Sequence, residues 1–214
     1  MNPLHFSDTD IAQMESRKRA AFMNSLTGFK SASLIGTVDK SGNTNLSIFS
    51  SVTHLGSNPA LVGFINRPDT TERHTLENIL ELGFYTINHI HRGIFAKAHQ
   101  TAARYSKDIS EFEAVALTPE FHLEFPAPFV QESRIKYGLE YVESHPLKIN
   151  GTILVIGKVV EVILPETCLR TDGSIDVESA ETIAISGLDG YHATKRLARL
   201  SYAKPDSLPN ELTD

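Results

Sequence analysis

The stretch that decides the fold is ASLIGTVDKSGNTNLSIF, residues 32–49. Residues 32–38 form a short run rich in aliphatic and β-branched side chains, which predicts a strand. Residues 39–43, DKSGN, favour a turn, and residues 44–49 return as a second strand. Two strands joined by such a turn predict a β-hairpin, so antiparallel pairing is the starting point for the rest of the chain.

Further elements are predicted on both sides of this hairpin. Before it, Ser7 and Asp10 have the spacing of a capping box, and the apolar pattern that ends near Gly28 predicts one amphipathic helix within residues 1–28. After it, apolar or β-branched runs predict strands at residues 61–65, 84–88, 135–142 and 152–164. Helical spacing predicts helices at residues 71–82 and 95–105, and the proline-containing residues 107–133 predict a long surface excursion.

These elements predict an α+β protein, mainly antiparallel β, centred on a barrel with flanking helices. The strand–helix alternation between residues 61 and 95 also fits a parallel sheet. Periodicity by itself leaves that alternative open.

Composition excludes several classes of partner. The 214 residues carry a net charge of −6 and no stripe of Lys and Arg, so we expect no nucleic-acid partner. No apolar run is long enough to span a bilayer and the N-terminus has no signal-peptide pattern, so we expect no membrane association. The single cysteine, Cys168, cannot form an intrachain disulfide, which fits a cytoplasmic location.

Motifs for several kinds of chemistry are absent from the sequence. It contains no G-x-G-x-x-G, no G-x-x-x-x-G-K-[ST] and no G-x-S-x-G. His89, His91 and His99 match no zinc signature, so we expect no metal site. We also expect no side-chain catalytic group.

Small polar side chains concentrate at two strand ends, residues 45–53 and 66–71. Strand alternation places Asn45, Ser47 and Phe49 on one face. Each cluster taken alone is ordinary turn chemistry. Together they offer hydroxyls, backbone N–H groups and an arginine, Arg67, which is what a phosphate needs when no phosphate-binding loop is present.

Residues 42–53, followed by Asn58-Pro59-Ala60-Leu61-Val62, resemble the FMN-binding segment of flavin reductase-like split-barrel proteins. Weaker similarities follow in the same order, at residues 67–70, 84–88, 156–160 and 196–202. The resemblance covers roughly residues 28 to 205. It divides the chain into an N-terminal helix at 1–28, a split-barrel domain at 29–205 and a polar tail at 206–214.

The resemblance implies a six-stranded split β-barrel that works as a homodimer, with FMN at the subunit interface. Residues 47–51 would line the flavin, and Ser51, Arg67 and Thr70 would be the phosphate ligands. The cofactor-binding residues that it implies are Asn45, Ser47, Ile48, Phe49, Ser50, Ser51, Arg67, Thr70, Asn88, Ala96 and Lys97.

The activity implied by the resemblance is an NAD(P)H:flavin reductase, which transfers hydride from NADH or NADPH to FMN. A monooxygenase or another electron acceptor would then take the electrons. One departure keeps an alternative open: nicotinamide-using members commonly carry Gly-Asp-His just before the strand at residues 152–160, where this chain reads Asn150-Gly151-Thr152. His145 is a candidate substitute.

Two other hypotheses therefore accompany the reductase. One is a non-catalytic FMN-binding electron-transfer protein, similar to flavoredoxin, and the other is a barrel that binds heme. Tyr191 and His192 are candidates to approach the flavin from a partner chain, although packing and surface roles explain them equally well.

Overall fold

The computed structural model describes residues 2–68 and 74–212. The described residues form five α-helices and one short 3-10 helix. The α-helices are α1 (Asp8–Gln13), α2 (Ser16–Leu26), α3 (His74–Leu82), α4 (Phe95–Gln100) and α5 (Glu111–Ala114). The 3-10 helix is Glu166–Cys168. No helix in the described part of the chain is long and apolar enough to cross a membrane.

The N-terminal segment is two helices where the sequence predicted one. The Ser7–Asp10 capping box is present and starts α1, as predicted. The chain then extends at Met14 and Glu15, and the Glu15 carboxylate accepts a hydrogen bond from the Lys18 backbone N–H at 3.0 Å. Because a carboxylate at this position caps a new helix, it divides the apolar pattern into α1 and α2.

The described residues form twelve strands. They are β1 (Lys30–Ser31), β2 (Ser33–Val38), β3 (Thr44–Phe49), β4 (Thr53–Ser57), β5 (Ala60–Asn66), β6 (Phe84–His89), β7 (Pro119–Glu120), β8 (Phe129–Val130), β9 (Lys136–Leu147), β10 (Thr152–Ile163), β11 (Ile183–Ser186) and β12 (Gly190–Ala193). The predicted hairpin is confirmed as β2 and β3, which pair from Ser33–Phe49 to Val38–Thr44.

The main sheet has seven strands in the order β3-β2-β6-β9-β10-β5-β4, and every pair is antiparallel. The mainly antiparallel α+β class is therefore confirmed, and the parallel alternative is wrong, because β9 and β10 lie between β5 and β6. The sheet has one strand more than the six expected. The additional edge strand is β4, which the sequence analysis did not predict and which pairs with β5.

Strand β2 lies between two hydrophobic clusters, and its six residues are all buried. Leu34 packs into one cluster with residues from α4, α5 and β11, and Ile35 packs into the other with residues from α3, β5 and β9. Gly36 leaves the space that the Pro128 carbonyl needs, since a Cβ there would lie 2.3 Å from that oxygen. The excursion at residues 107–133 is thereby held against the main sheet and includes α5, β7 and β8.

A second sheet was not foreseen from the sequence. Strands β1, β11 and β12 form it, and Ile183 and Ile185 of β11 are buried in the same cluster as Leu34. Helix α4 is also shorter than predicted: it ends at Gln100, and the backbone N–H and hydroxyl of Thr101 both bond to the Ala98 carbonyl. The second sheet and α4 both contribute residues to the cavity of the candidate site.

Candidate functional site

The two polar bends singled out in the sequence meet in the fold. Ser51 follows β3, and its hydroxyl accepts a hydrogen bond from the Ile65 backbone N–H at 3.1 Å and donates one to the Ile65 carbonyl at 3.2 Å. Ile65 is two residues before Arg67. The Ser51 side chain therefore fixes the hydroxyl-rich bend beside the arginine turn.

A cavity of about 500 Å³ opens where these bends meet. Its lining combines hydroxyl, amide and aliphatic groups with one guanidinium. The residues that line it are Asn24, Ser47, Ile48, Phe49, Ser50, Ser51, Ile65, Asn66, Arg67, Thr75, His99, Ala102, Ile185, Leu188 and Tyr191.

Six of the sequence-predicted cofactor residues line this one cavity: Ser47, Ile48, Phe49, Ser50, Ser51 and Arg67. The first five come from the end of β3 and the bend after it, and they are half-buried. Arg67 is exposed and forms no ion pair with any carboxylate of the described residues. Thr70, the remaining predicted phosphate ligand, lies outside the described residues.

Asn45 and Asn88 do not line the cavity, because both are buried and hydrogen-bonded within the protein. The Asn45 amide donates to Thr37 Oγ1 at 3.1 Å and to Thr75 Oγ1 at 3.0 Å. The Asn88 amide donates to the Leu34 carbonyl and accepts from the Val130 N–H. Asn45 thus holds Thr75, which lines the cavity, whereas Asn88 joins β2 to β8 in the interior.

Ala96 and Lys97 also lie off the cavity lining, at the exposed start of α4. The Lys97 ammonium donates to the Ala116 carbonyl at 2.6 Å and so contacts the excursion at residues 107–133. Further along the same segment, His99 and Ala102 line the cavity. The residues of this segment that line the cavity therefore come later in the chain than Ala96 and Lys97.

The sequence reasoning did not include several residues of the cavity lining among the cofactor-binding residues. Three of them, Ile185, Leu188 and Tyr191, come from β11, β12 and the turn between them, and another is Asn24 of α2. Alternation in Ile183–Ser186 is the signal that would have predicted β11. Tyr191 lines the cavity of its own chain, whereas the sequence analysis considered an approach to the flavin from a partner chain, a packing role or a surface role.

A hydrogen bond joins Tyr191 to another residue of the cavity lining: Tyr191 OH lies 2.9 Å from His99 Nδ1. The Tyr191 ring also packs against Phe95 at a centroid distance of 5.5 Å. Burial and the nearby Asp189 carboxylate raise the pKa of the Tyr191 phenol. The phenol is therefore neutral at physiological pH and can donate a hydrogen bond.

His145, the candidate substitute for the missing family histidine, does not line the cavity. It lies on β9 opposite Leu154, and its Nε2 is 3.2 Å from a Glu143 carboxylate oxygen. In the turn that follows, the Asn150 side chain accepts hydrogen bonds from both the backbone N–H and the hydroxyl of Thr152. Among the described residues, no group of three His, Cys, Asp or Glu side chains has a metal-binding arrangement.

The cavity combines features that suit a phosphorylated molecule with a flat ring. Arg67 and the hydroxyls of Ser47 and Ser50 are donors for an anionic group. Thr75, in the first turn of the nine-residue α3, adds the partial positive charge of a helix N-terminus. Apolar contact for a ring is available from Ile48, Phe49, Ile185 and Leu188.

Comparison with known proteins agrees with this arrangement. The family model for the flavin reductase like domain matches residues 26–174. A solved structure of a candidate flavin reductase with a split barrel domain, from Shewanella frigidimarina NCIMB 400, is 57% identical to this chain. The two superpose with a TM-score of 0.91 over 94% of this chain and 100% of that one. The predicted split-barrel fold is confirmed.

Two more distant structures share the fold. Nitrilotriacetate monooxygenase component B from Bacillus cereus is 22% identical, with a TM-score of 0.80 over 94% of this chain and 100% of that chain. Flavoredoxin of Desulfovibrio vulgaris (Miyazaki F) is 23% identical, with a TM-score of 0.68 over 84% of this chain and 92% of that chain.

Proposed function

Because this chain belongs to the flavin reductase-like family, we propose that it binds one FMN non-covalently in the 500 Å³ cavity and acts as an NAD(P)H:flavin reductase. The observation that carries the proposal is the junction between Ser51 and Ile65. That junction gathers hydroxyls, an arginine and apolar walls around a single cavity.

The residues present fit FMN. Arg67, exposed at the cavity and without an ion-pair partner among the described residues, supplies the charge-assisted contact that a phosphate needs. Ser50 and the first turn of α3 supply further donors around it, whereas the Ser51 hydroxyl hydrogen is donated to the Ile65 carbonyl. Ser47, Ile48 and Phe49 present backbone and apolar side chains to the ring, consistent with the roles implied by the family resemblance.

When bound, FMN would supply the two-electron chemistry by accepting hydride from the nicotinamide. The residues of the chain bind and orient it. Ile48 and Phe49 would give the ring apolar contact, and Arg67 would hold the phosphate. Hydride transfer between two stacked rings would need no side-chain acid or base, so these residues would act by binding and orienting the flavin.

The first test is the absorption spectrum of the protein as purified, followed by titration with FMN. We expect a flavin spectrum, whereas a heme spectrum would support the third hypothesis. FMN-loaded protein is then mixed with NADH and with NADPH in an anaerobic stopped-flow instrument. Loss of the oxidised flavin absorbance within seconds supports the reductase, and absorbance that persists for minutes with both donors rejects it.

A second candidate, a flavin-binding electron-transfer protein, is favoured by one observation. The turn before β10 has no histidine, and His145 lies next to Glu143 and away from the cavity lining. A chain of this kind would bind FMN tightly, react slowly with NAD(P)H and be reduced rapidly by a protein donor. The stopped-flow experiment separates the two candidates.

We propose that the protein works as a homodimer in the cytoplasm and that a monooxygenase or another electron acceptor takes its electrons. The family resemblance supports the homodimer, and the single cysteine, Cys168, fits a reducing compartment. A structural neighbour that is named as a monooxygenase component supports the acceptor. Sedimentation equilibrium of the FMN-loaded protein tests the dimer, and a mass equal to one chain would reject it.

A further inference from the structure

Tyr191 and His99 line the cavity but have no role in the function proposed above. They form one wall of the cavity together with Ile185 and Leu188. This wall comes from α4 and the hairpin β11–β12, and the hairpin lies beyond residue 174, where the family match ends.

The position of the Tyr191 phenol is fixed by two neighbours. Its oxygen lies 2.9 Å from His99 Nδ1, and its ring packs against Phe95 at 5.5 Å between centroids. A phenol has one hydrogen to donate and can also accept. When the His99 proton is on Nδ1, that N–H donates to the phenol oxygen, and the phenol hydrogen is then available to a ligand in the cavity.

The surroundings of this donor are apolar. Ile185, Leu188 and Ile48 line the same cavity. Both Ile48 and Tyr191 pack against the same buried cluster, which also contains Ile185. A ligand that accepts a hydrogen bond from Tyr191 here would have its apolar part beside these side chains.

We propose that the Tyr191–His99 pair forms a second-substrate subsite, which binds a planar conjugated ring through a carbonyl oxygen. The inference rests on the proposed function, because it assigns the molecule that exchanges electrons with the bound flavin. The carboxamide of a dihydronicotinamide and the carbonyl of a quinone share this chemistry. In both cases Tyr191 donates to the carbonyl oxygen, and His99 acts as a positioning residue.

The experiment uses FMN-loaded full-length protein and the variants Tyr191→Phe, His99→Ala and His99→Asn. Tyr105→Phe is the matched control, since Tyr105 also bonds to a residue of α4, Gln100, but does not line the cavity. FMN affinity is measured first, by fluorescence titration. Anaerobic stopped-flow then gives the apparent Kd and the limiting rate with NADH, and photoreduced protein gives both constants with menadione.

We expect Tyr191→Phe and His99→Ala to raise the apparent Kd for NADH, for menadione or for both by about 3- to 10-fold, as for one lost hydrogen bond. Limiting rates and FMN affinity should stay within about twofold of the wild type, because the flavin contacts are intact. His99→Asn, which keeps a donor near Nδ1, should recover part of the loss. An increase with NADH alone identifies an electron-donor subsite, and an increase with menadione alone identifies an acceptor subsite.

Apparent Kd values that stay at the wild-type level with both compounds, in both Tyr191→Phe and His99→Ala, would overturn the inference while FMN binding still stands. An equal rise in the Tyr105→Phe control would also overturn it. Wild-type protein that fails to bind FMN would instead reject the proposed function itself, and the inference with it.

Discussion

The Ser51 side chain makes the hydrogen bonds to the Ile65 backbone that a neighbouring strand would otherwise make at this edge of the main sheet. Its hydroxyl bonds to both backbone groups of Ile65, at 3.1 and 3.2 Å. The pairing of β4 with β5 ends at Thr53–Gly63, and Ser51 and Ile65 lie two positions further along in the same register. One hydroxyl therefore ends the edge strand and brings the serine bend to the arginine turn.

Replacing Ser51 with alanine removes both of these hydrogen bonds. We expect Ser51→Ala to lower the free energy of unfolding by about 1–2 kcal/mol, because the Ile65 N–H and carbonyl lose their partner. FMN affinity should fall as well, since the bend is no longer fixed beside Arg67. Urea unfolding and fluorescence titration measure the two effects.

The control for this prediction is Ser57→Ala, at an exposed serine whose nearest side-chain partner is His54 Nε2 at 3.4 Å. It should change neither quantity measurably. If Ser51→Ala behaved like Ser57→Ala, the junction would have no part in forming the site.

Arg67→Ala should weaken FMN binding by about 1.5–3 kcal/mol, the usual cost of a hydrogen bond to a charged group. That range corresponds to about a 10- to 150-fold rise in Kd. The free energy of unfolding of the flavin-free protein should change little, because Arg67 is exposed. Arg104→Ala, also at an exposed arginine but off the cavity lining, is the matched control, and an unchanged Kd for Arg67→Ala would remove this residue from the site.

For Asn88 we expect the reverse of the Arg67 result: a loss of stability with little change in FMN affinity. Its amide bonds to Leu34, Thr86 and Val130 in the interior, so Asn88→Ala should lower the free energy of unfolding by about 2–3 kcal/mol. The Kd for FMN, measured on folded protein at low temperature, should remain within about twofold of the wild type. A tenfold loss of FMN affinity at unchanged stability would restore the cofactor role that the family resemblance implied.

His89 gives the fold a predictable dependence on pH. Burial lowers its pKa from 6.5 to about 4, so the folded protein binds a proton at this ring less readily than the unfolded chain does. The corresponding stability is fully present above pH 6.5 and is lost as the pH falls towards 4. Between pH 7 and pH 5 we expect the wild type to lose about 1–2 kcal/mol relative to His89→Gln.

Urea unfolding of the two proteins at pH 7 and pH 5 measures this difference, and the other titrating groups cancel because both proteins contain them. The lower part of the range allows for the partial exposure of the His89 ring. Parallel pH profiles for the two proteins would show that this histidine titrates normally in the folded state.

Much of the strand framework followed from the sequence, because the signals that specify it are local. The hairpin of β2 and β3 was predicted almost to the residue, since turn residues separate two apolar runs. The serine bend and Arg67 were identified as one site because their side-chain types suit a phosphate and because their order matches a known family. Asn45 and Asn88 were predicted to belong to the same site but lie off the cavity lining, and an amide that binds a ligand and an amide that satisfies a buried polar group look the same in a sequence.

The sequence by itself determined that the chain builds an antiparallel sheet and that hydroxyls and one arginine gather at the ends of its strands, because alternation and turn chemistry act between neighbouring residues. Only the tertiary structure decided which groups face one another across the cavity. Tyr191 and His99 are 92 positions apart, and their hydrogen bond exists because β11 packs into the same core as β2. Packing of this kind depends on the shapes of distant surfaces, which no local pattern encodes.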